Sequence, residues 1–175
     1  MCSSDLSFGD TAVAAWALWS RINAVAFGAI FALSAAIGPI IGQNFGARDF
    51  GRVQDTVTES IKANWLFCLA GWLAMIVFTP LLLRSLGIGA EAARLVMLSV
   101  LWLAPCYGFL GMLFVANAAF NTLGAAPYAT AFNWGRATIG TIPFVWIGGH
   151  LAGAFGAFAG SLAGAIPAGL LAVWV

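Results

Sequence analysis

The sequence predicts an all-α integral membrane protein, a bundle of about five transmembrane helices. Of the 175 residues, 62% are hydrophobic and 7% are charged, whereas about a quarter of the residues in a soluble domain are charged. The apolar stretches reach about twenty residues or more, the length that a helix needs to cross about 30 Å of hydrocarbon. They lack the strict alternation of barrel strands. The 21 glycines suit close packing of helices in lipid.

The gaps between charged residues divide the chain into five apolar spans. These cover residues 11–43, 63–83, 95–120, 128–148 and 151–175. Arg21 and Arg136 are the charged residues inside them. Short connections rich in turn residues, at 121–124 and 148–150, separate the later spans. Residues 48–62 are apolar at helical spacing and polar elsewhere, which predicts an amphipathic helix lying on the membrane surface.

Charge and cysteine content argue against several classes of protein. The net charge of +1 gives no reason to expect a nucleic-acid partner. Cys2, Cys68 and Cys106 have neither metal-ligand spacing nor the pattern of a disulfide framework, so we expect no metal. The chain has no phosphate-binding glycine loop and no catalytic triad, and we expect neither an enzyme nor a cofactor.

The C-terminal residues Ala172–Val175 still belong to an apolar run and carry no polar flank. We therefore expect the chain to be part of a longer protein. The alternative is a small, complete five-span membrane subunit or channel.

A run near the end of the first span carries a family resemblance. Residues 35–48 read AAIGPIIGQNFGAR, which resembles the P-x-x-G-Q-N-x-G-A segment of MATE exporters. Residues 13–16 with Arg21 resemble the opening of the same family helix, and residues 119–124 resemble its "fNalG" turn. Arg136 and Pro143 resemble the arginine and proline of the next helix; the four matches keep the family order.

The resemblance implies helices eight to twelve of a twelve-helix, two-lobe transporter. It implies a multi-pass protein of the plasma (inner) membrane that exports amphipathic organic compounds or drugs, cationic ones included, by alternating access. The expected partners are the lipid bilayer, such substrates and the N-terminal lobe of the same chain. The alternative within the superfamily is a flippase for lipid-linked oligosaccharides, which a cavity lined by several arginines would favour.

Energy coupling is expected to reside outside these spans. An antiporter of this family is driven by protons or sodium ions, and membrane carboxylates commonly bind such ions. All six Asp and Glu residues lie in predicted loops or at span edges. We therefore expect the coupling ion, proton or sodium, to bind in the other lobe.

The Gly-Gln-Asn motif is a candidate hinge. Pro39 removes a backbone donor, so the first span is expected to be helical through Phe31 and then kinked or unwound from Gly38 to Gly42. Gly42 and Gly46 form a small-residue pair. Gln43 and Asn44 are expected to form hydrogen bonds with backbone groups that the kink leaves without partners. The alternative is that the whole motif is an ordinary helix end with its caps.

Polar residues within spans are candidates for the substrate path, because each is costly in hydrocarbon and usually faces protein or water. The six candidates are Arg21, Asn23, Tyr107, Asn117, Asn121 and Arg136. The arginines could instead extend to the membrane interface. Asn117 and Asn121 share a helical face and could simply bond across helices, as could Asn64 and Asn133. His150, in a predicted turn, is a candidate proton relay or merely a solvated interfacial side chain.

The orientation follows from the positive-inside rule. The segment after the first span carries Arg48, Arg52 and Lys62, and the opposite side carries Arg84 and Arg94. This excess favours a cytoplasmic 48–62 segment, in agreement with the family resemblance.

Single cysteines at Thr56 and Gly89, in a background without the three native cysteines, test this orientation in whole cells. We expect an impermeant thiol reagent to label position 89 and to leave position 56 unlabelled, because only the 84–94 segment faces outward. Labelling of position 56 alone would reverse the topology.

Overall fold

A computed structural model of the protein describes residues 9–175, all of which belong to helices or short connections, with no strand among them. Cys2 lies outside the described residues. The helices are α1 (Gly9–Ala26), α2 (Gly28–Gly46), α3 (Phe50–Ser85), α4 (Ala90–Trp102), a 3-10 turn (Ala104–Cys106), α5 (Tyr107–Thr122), α6 (Ala126–Ala137), α7 (Ile142–Ala163) and α8 (Ala165–Trp174). The all-α prediction is confirmed.

The first span is interrupted at Phe27. Phe27 leaves helical geometry (φ −106°, ψ 10°), and the Ile30 amide donates to the Phe27 carbonyl at 3.0 Å, a tighter turn than an α-helix has. The expectation of an unbroken helix through Phe31 is therefore wrong. Helix α2 then continues from Gly28 to Gly46 without the predicted unwinding at 38–42. Pro39 lies on an exposed face of this helix, and its ring removes only local backbone hydrogen bonding.

The second span and the predicted surface helix form one helix, the 36-residue α3. A helix of this length extends for about 54 Å, well beyond about 30 Å of hydrocarbon. Residues 50–62 therefore continue along the axis of the span, which corrects the prediction that they lie on the membrane surface. Their apolar stripe, Val53, Val57 and Ile61, packs against the cluster around Ile37 in α2.

The third span is bent by 43° between α4 and α5. Pro105 lies in the 3-10 turn that joins the two helices, where it cannot donate a backbone hydrogen bond. Beyond the bend, α5 is the central helix of the fold. It packs against α2, α3, α6 and α8, and Leu113, Val115 and Ala116 are almost completely buried.

The last two spans fold back on each other within α7. Ala152 and Gly153 are non-helical, and Gly153 has a φ of 58°. The backbone of Gly148 contacts that of Gly156, so the chain reverses between them. The predicted turn at 148–150 is therefore placed about three residues too early. A further interruption, at residues 138–141, lies inside the predicted 128–148 span.

The helix lengths agree with a multi-pass membrane protein. Gly28–Gly46, Phe50–Ser85 and Ala126–Trp174 are long and apolar enough to cross a membrane, as is the bent α4–α5 pair when it is taken as one span. Because Ala126–Trp174 reverses at Ala152–Gly153, it provides two antiparallel arms. The described residues thus contain three such helices, or four with the bent pair, and the division into five spans stays a prediction.

The glycines of α7 allow this reversal, and a matched pair of substitutions tests their role. A β-carbon at Gly160 would overlap the backbone of Phe144 and Val145, whereas one at Gly135 meets nothing within 4 Å. We expect Gly160→Ala to destabilise the protein by about 1–3 kcal/mol. We expect Gly135→Ala to be neutral or to stabilise it by up to about 1 kcal/mol, because alanine favours a helix interior. Thermal unfolding followed by circular dichroism measures both; equal effects would contradict the proposed contact.

Candidate functional site

Two of the helix interruptions lie side by side. Phe27, at the junction of α1 and α2, stacks on Tyr107, the first residue of α5 after the Pro105 bend. Their ring centroids are 4.6 Å apart and their planes differ by 4°. Trp19 packs edge-on against the same tyrosine, with centroids 6.4 Å apart. The irregular backbone of the first and third spans thus meets at a single aromatic contact, which we call the aromatic joint (Trp19, Phe27 and Tyr107).

Helix α3 supplies hydrogen-bond donors to the bent segment. The Asn64 amide nitrogen donates to the Gly108 carbonyl at 2.9 Å. The Trp72 indole nitrogen donates to the Val100 carbonyl at 3.0 Å. Between them, the Cys68 sulfur lies 3.9 Å from the Pro105 oxygen, a weak contact. These donors, four residues apart on one face, connect α3 to the helices on both sides of the bend. Val100 lies in the last turn of α4, where helix carbonyls lack partners within the helix and lipid offers none.

Small residues bring α3 close to its neighbours. The Asn64 side-chain oxygen contacts Gly111 where a β-carbon would otherwise lie, and the Trp65 ring covers Gly108 in the same way. On the other side, a β-carbon at Gly71 would be 2.9 Å from the Ala26 carbonyl. Helix α3 is therefore held by close contact with both interrupted spans.

A groove of about 430 Å³ lies between α1 and α3. Its lining is formed by Arg21, Ile22, Val25, Ala26, Ala74, Met75, Phe78, Thr79 and Leu82. Arg21 is the charged residue of this lining, and its side chain is exposed. It forms no ion pair with any residue in the described part of the chain, where the salt bridge found is Lys62–Glu59 at the surface of α3. We call this cavity the Arg21 groove.

The other predicted path residues of α1 and α5 near the joint point inward. Asn23 is 3% exposed, and its amide nitrogen donates to the Trp19 carbonyl at 2.8 Å. Tyr107 is half-buried in the aromatic joint. Neither residue lines the Arg21 groove. Their positions fit roles in packing at the two interruptions.

Three further candidates lie elsewhere. Asn117 is partly buried, and its side-chain oxygen has no partner among the described residues. Asn121 is exposed. Arg136 is partly buried beside the interruption at residues 138–141, with its Nε unpartnered in residues 9–175. The structure does not gather the six candidates around one cavity: of them, Arg21 alone lines the groove between α1 and α3.

Comparison with known proteins assigns the family. The sequence matches the MatE family over residues 2–147. The chain belongs to the MatE family. The fold superposes on a mutant of the MATE transporter VcmN of Vibrio cholerae with a TM-score of 0.88 and 30% identity, covering 97% of this chain and 39% of that one.

Two curated relatives match at the level of sequence. An uncharacterized 21 kDa protein of Pseudomonas savastanoi is 30% identical over 164 residues, which are 90% of this chain and 52% of that protein. A protein of Shewanella oneidensis named FAD transporter is 24% identical over 146 residues, 83% of this chain and 32% of that protein. The MatE chain thus spans between a third and about half of the length of these relatives.

The Gly-Gln-Asn motif of this MatE chain packs one helix on another. A β-carbon at Gly38 or Gly42 would lie 3.4 or 3.3 Å from the Thr122 side chain of α5, whereas Gly46 faces open space. The close-packing pair is therefore Gly38 and Gly42, which corrects the predicted pair of Gly42 and Gly46. Spacing alone could not decide between them, since both pairs are four residues apart.

The polar end of the motif terminates α2. The Asn44 amide nitrogen donates to the Ile40 carbonyl at 3.0 Å, and Gln43 is exposed. Arg48 adopts a left-handed conformation with a φ of 59°, after which the Asp49 side chain accepts from the Arg52 amide at 3.1 Å and caps α3.

His150, predicted to lie in a turn, is an exposed helical residue packed edge-on against Trp146 with centroids 4.7 Å apart.

The α3 donors are the feature that sequence reasoning missed. The sequence identifies Asn64 as a candidate for a bond across helices, whereas Cys68 and Trp72 lie in the apolar run of the second span and have no predicted partner. Their spacing of four residues, opposite a span that contains Pro105, is the available signal. This spacing identifies the face of α3 that carries the donors. It does not identify the carbonyl groups that accept from them.

Replacing Trp72 by phenylalanine tests whether the bend depends on these donors. The variant keeps an aromatic ring and leaves the Val100 carbonyl without its donor, so we expect a loss of stability of about 1–3 kcal/mol. Trp102→Phe is the control, because Trp102 is 67% exposed. Thermal unfolding of both variants in detergent compares them. A loss for Trp102→Phe as large as that for Trp72→Phe would show that the indole hydrogen bond contributes little.

Proposed function

We propose that the protein containing this chain is a cation-coupled antiporter that exports amphipathic organic compounds across the plasma membrane by alternating access. The observation that carries the proposal is the superposition of this chain on the MATE transporter VcmN over 97% of its length. The chain spans 39% of that structure, so the transport cycle belongs to the whole protein.

The aromatic joint supports a conformational cycle. Alternating access needs elements that move as units about a few flexible positions. The first and third spans are both interrupted at the joint, whereas α3 passes them as one unbroken helix. We propose that the outer and inner halves of the two interrupted spans reorient about Phe27 and Tyr107, while hydrogen bonds from α3 hold both helices of the bent span.

The positions of the acidic residues support coupling elsewhere in the protein. Asp10 and Glu91 lie in the first turns of α1 and α4. Asp49 caps α3, while Asp55 and Glu59 lie in its extended N-terminal part. Within residues 9–175, none lies in the middle of a span. We therefore propose that the carboxylate that binds the driving proton or sodium ion is contributed by another part of the protein.

We propose that the candidate substrates include compounds other than cationic drugs. The Shewanella relative is named FAD transporter, and FAD carries phosphate groups as well as large aromatic rings. We therefore include anionic amphipathic compounds among the candidate substrates. Because a single arginine lines the Arg21 groove, the groove offers no specific support for an oligosaccharide flippase.

Everted membrane vesicles that contain the whole protein test the antiport. We expect a fluorescent amphipathic dye to accumulate when a proton or sodium gradient is imposed and to leave when the gradient is collapsed. Phe27→Ala should slow this accumulation, because it removes one ring of the aromatic joint. Phe67→Ala, on the exposed side of α3, is the matched control. Accumulation that is indifferent to both gradients would refute coupled antiport.

A further inference from the structure

We propose that the helices of this chain form two rigid blocks that tilt relative to each other across one layer of interrupted backbone. The α4 block consists of α1, α4 and α7, and the α5 block consists of α2, α5, α6 and α8. Helix α3 is unbroken and contacts both blocks. The inference rests on the proposed transport function and deepens it, because it extends the motion at the aromatic joint to the last two predicted spans.

Helix packing divides at the interruptions. On one side, α1 and α7 both pack on α4, and the ring centroids of Trp16 in α1 and Phe158 in α7 are 4.9 Å apart. On the other side, α2, α6 and α8 pack on α5, and α6 also packs on α8. Between the blocks, the main contacts of the described residues are those of α1 with α2 and of α7 with α8, helices that follow each other in the chain. The helices of one block can therefore move together and keep their packing partners.

The buried cores show the same division. One cluster of buried side chains comes from α1, α3, α4 and α7 and from the first and third interruptions. Two other clusters come from the α5 block, and one of them also packs against α3. Phe158 and Leu162 of α7 belong to the first cluster, whereas Ala168 and Ala172 of α8 pack with Leu113 of α5. The core therefore changes from one block to the other at the junction of α7 and α8.

The last two predicted spans break next to each other at two glycines. Residues 138–141 separate α6 from α7, and Gly164 separates α7 from α8. A β-carbon at Gly164 would lie 2.5 Å from the Gly140 carbonyl oxygen, and one at Gly140 would lie 2.7 Å from the Gly164 Cα. We call this contact the glycine joint (Gly140 and Gly164). Because neither residue has a side chain, the two backbones can change their angle here without repacking side chains of their own.

The glycine joint and the aromatic joint lie at similar depths. A β-carbon at Gly169 would overlap the backbone of Phe109, so α5 and α8 touch at these residues. Helix α6 returns along α5 after the turn at 123–125, and α8 returns along α6, so α5 and α8 run in the same direction. Tyr107 is about 3 Å before Phe109 along α5, and Gly164 is about 8 Å before Gly169 along α8. The two joints therefore differ in depth by about 5 Å, one helical turn.

Helix α3 forms a hydrogen bond to each block. The Trp72 indole donates to the Val100 carbonyl of α4, whereas the Asn64 amide donates to the Gly108 carbonyl of α5. Cys68, midway between these two donors, lies beside the Pro105 carbonyl. The two donors are about 12 Å apart along α3. The blocks can therefore tilt about the segment of α3 between them while each block keeps its hydrogen bond.

Distances between spin labels in the whole protein test the two blocks. Labels on Gly89→Cys and Leu151→Cys report on the α4 block, and labels on Gly46→Cys and Ala126→Cys report on the α5 block, in a background without the native cysteines. All four positions are exposed. Electron–electron double resonance in nanodiscs measures each pair at acidic and alkaline pH, with and without sodium. Leu151 is about 17 Å from Gly140 along α7, so a rotation of about 15° moves it by about 4 Å. We expect pairs between the blocks to shift or broaden by about 4 Å and pairs within a block to stay unchanged.

Phe27→Ala assigns the tilt to the layer of interruptions. Loss of one stacked ring of the aromatic joint should broaden the distances between the blocks and leave those within each block unchanged. A general loss of stability would instead broaden all of them, and that result would contradict the role of the joint. Phe67→Ala, on the exposed side of α3, is the matched control and should change neither set of distances.

Two results would overturn the inference. One is a set of equally narrow distances for all pairs under every condition, and the other is a change within a block as large as the change between the blocks. Transport in everted vesicles separates this inference from the proposed antiporter. Gradient-driven accumulation of the dye with fixed distances between the blocks contradicts the two blocks alone. Distances that change between the blocks without gradient-driven accumulation support the two blocks and contradict the antiporter.

Discussion

The hydrogen bonds from α3 to the bent third span are the interaction on which the rest of the structure depends. Helix α4 ends at Trp102 before the 3-10 turn that contains Pro105, and a carbonyl of its last turn left unpaired in hydrocarbon would cost several kcal/mol. Asn64 and Trp72 provide donors to Gly108 and Val100. Gly108 and Gly111 of α5 give the side chains of Trp65 and Asn64 the space for this close approach. The bend, the close packing and the position of Tyr107 are therefore one arrangement.

The aromatic joint extends this arrangement to the first span. Once the bend places Tyr107 at the start of α5, its ring stacks on Phe27 at the interruption between α1 and α2. Two irregular segments therefore lie together, next to a continuous helix that satisfies and supports them. Such an arrangement agrees with the proposed cycle, in which rigid helices reorient about a few residues.

Acidic and basic residues are distributed differently along the helices. Within residues 9–175, the acidic residues lie at helix ends or in the extended part of α3, whereas Arg21 and Arg136 lie within predicted spans. The sequence identifies this imbalance but not its consequence, because helical spacing does not show which arginine meets a cavity. In the fold, Arg21 lines a groove, while Arg136 lies partly buried at a helix interruption.

The sequence by itself determined the membrane environment, the all-α class, the approximate span limits and the family, because these follow from composition, apolar length and a local motif. Tertiary structure decided where the helices break. Pro39 lies in an unbroken helix on an exposed face, whereas the break falls at Phe27, which has no proline beside it and whose ring stacks on Tyr107. It also placed the reversal at Gly153, where the glycines of facing arms meet. Such breaks depend on contacts between residues far apart in the chain, which local sequence patterns do not specify.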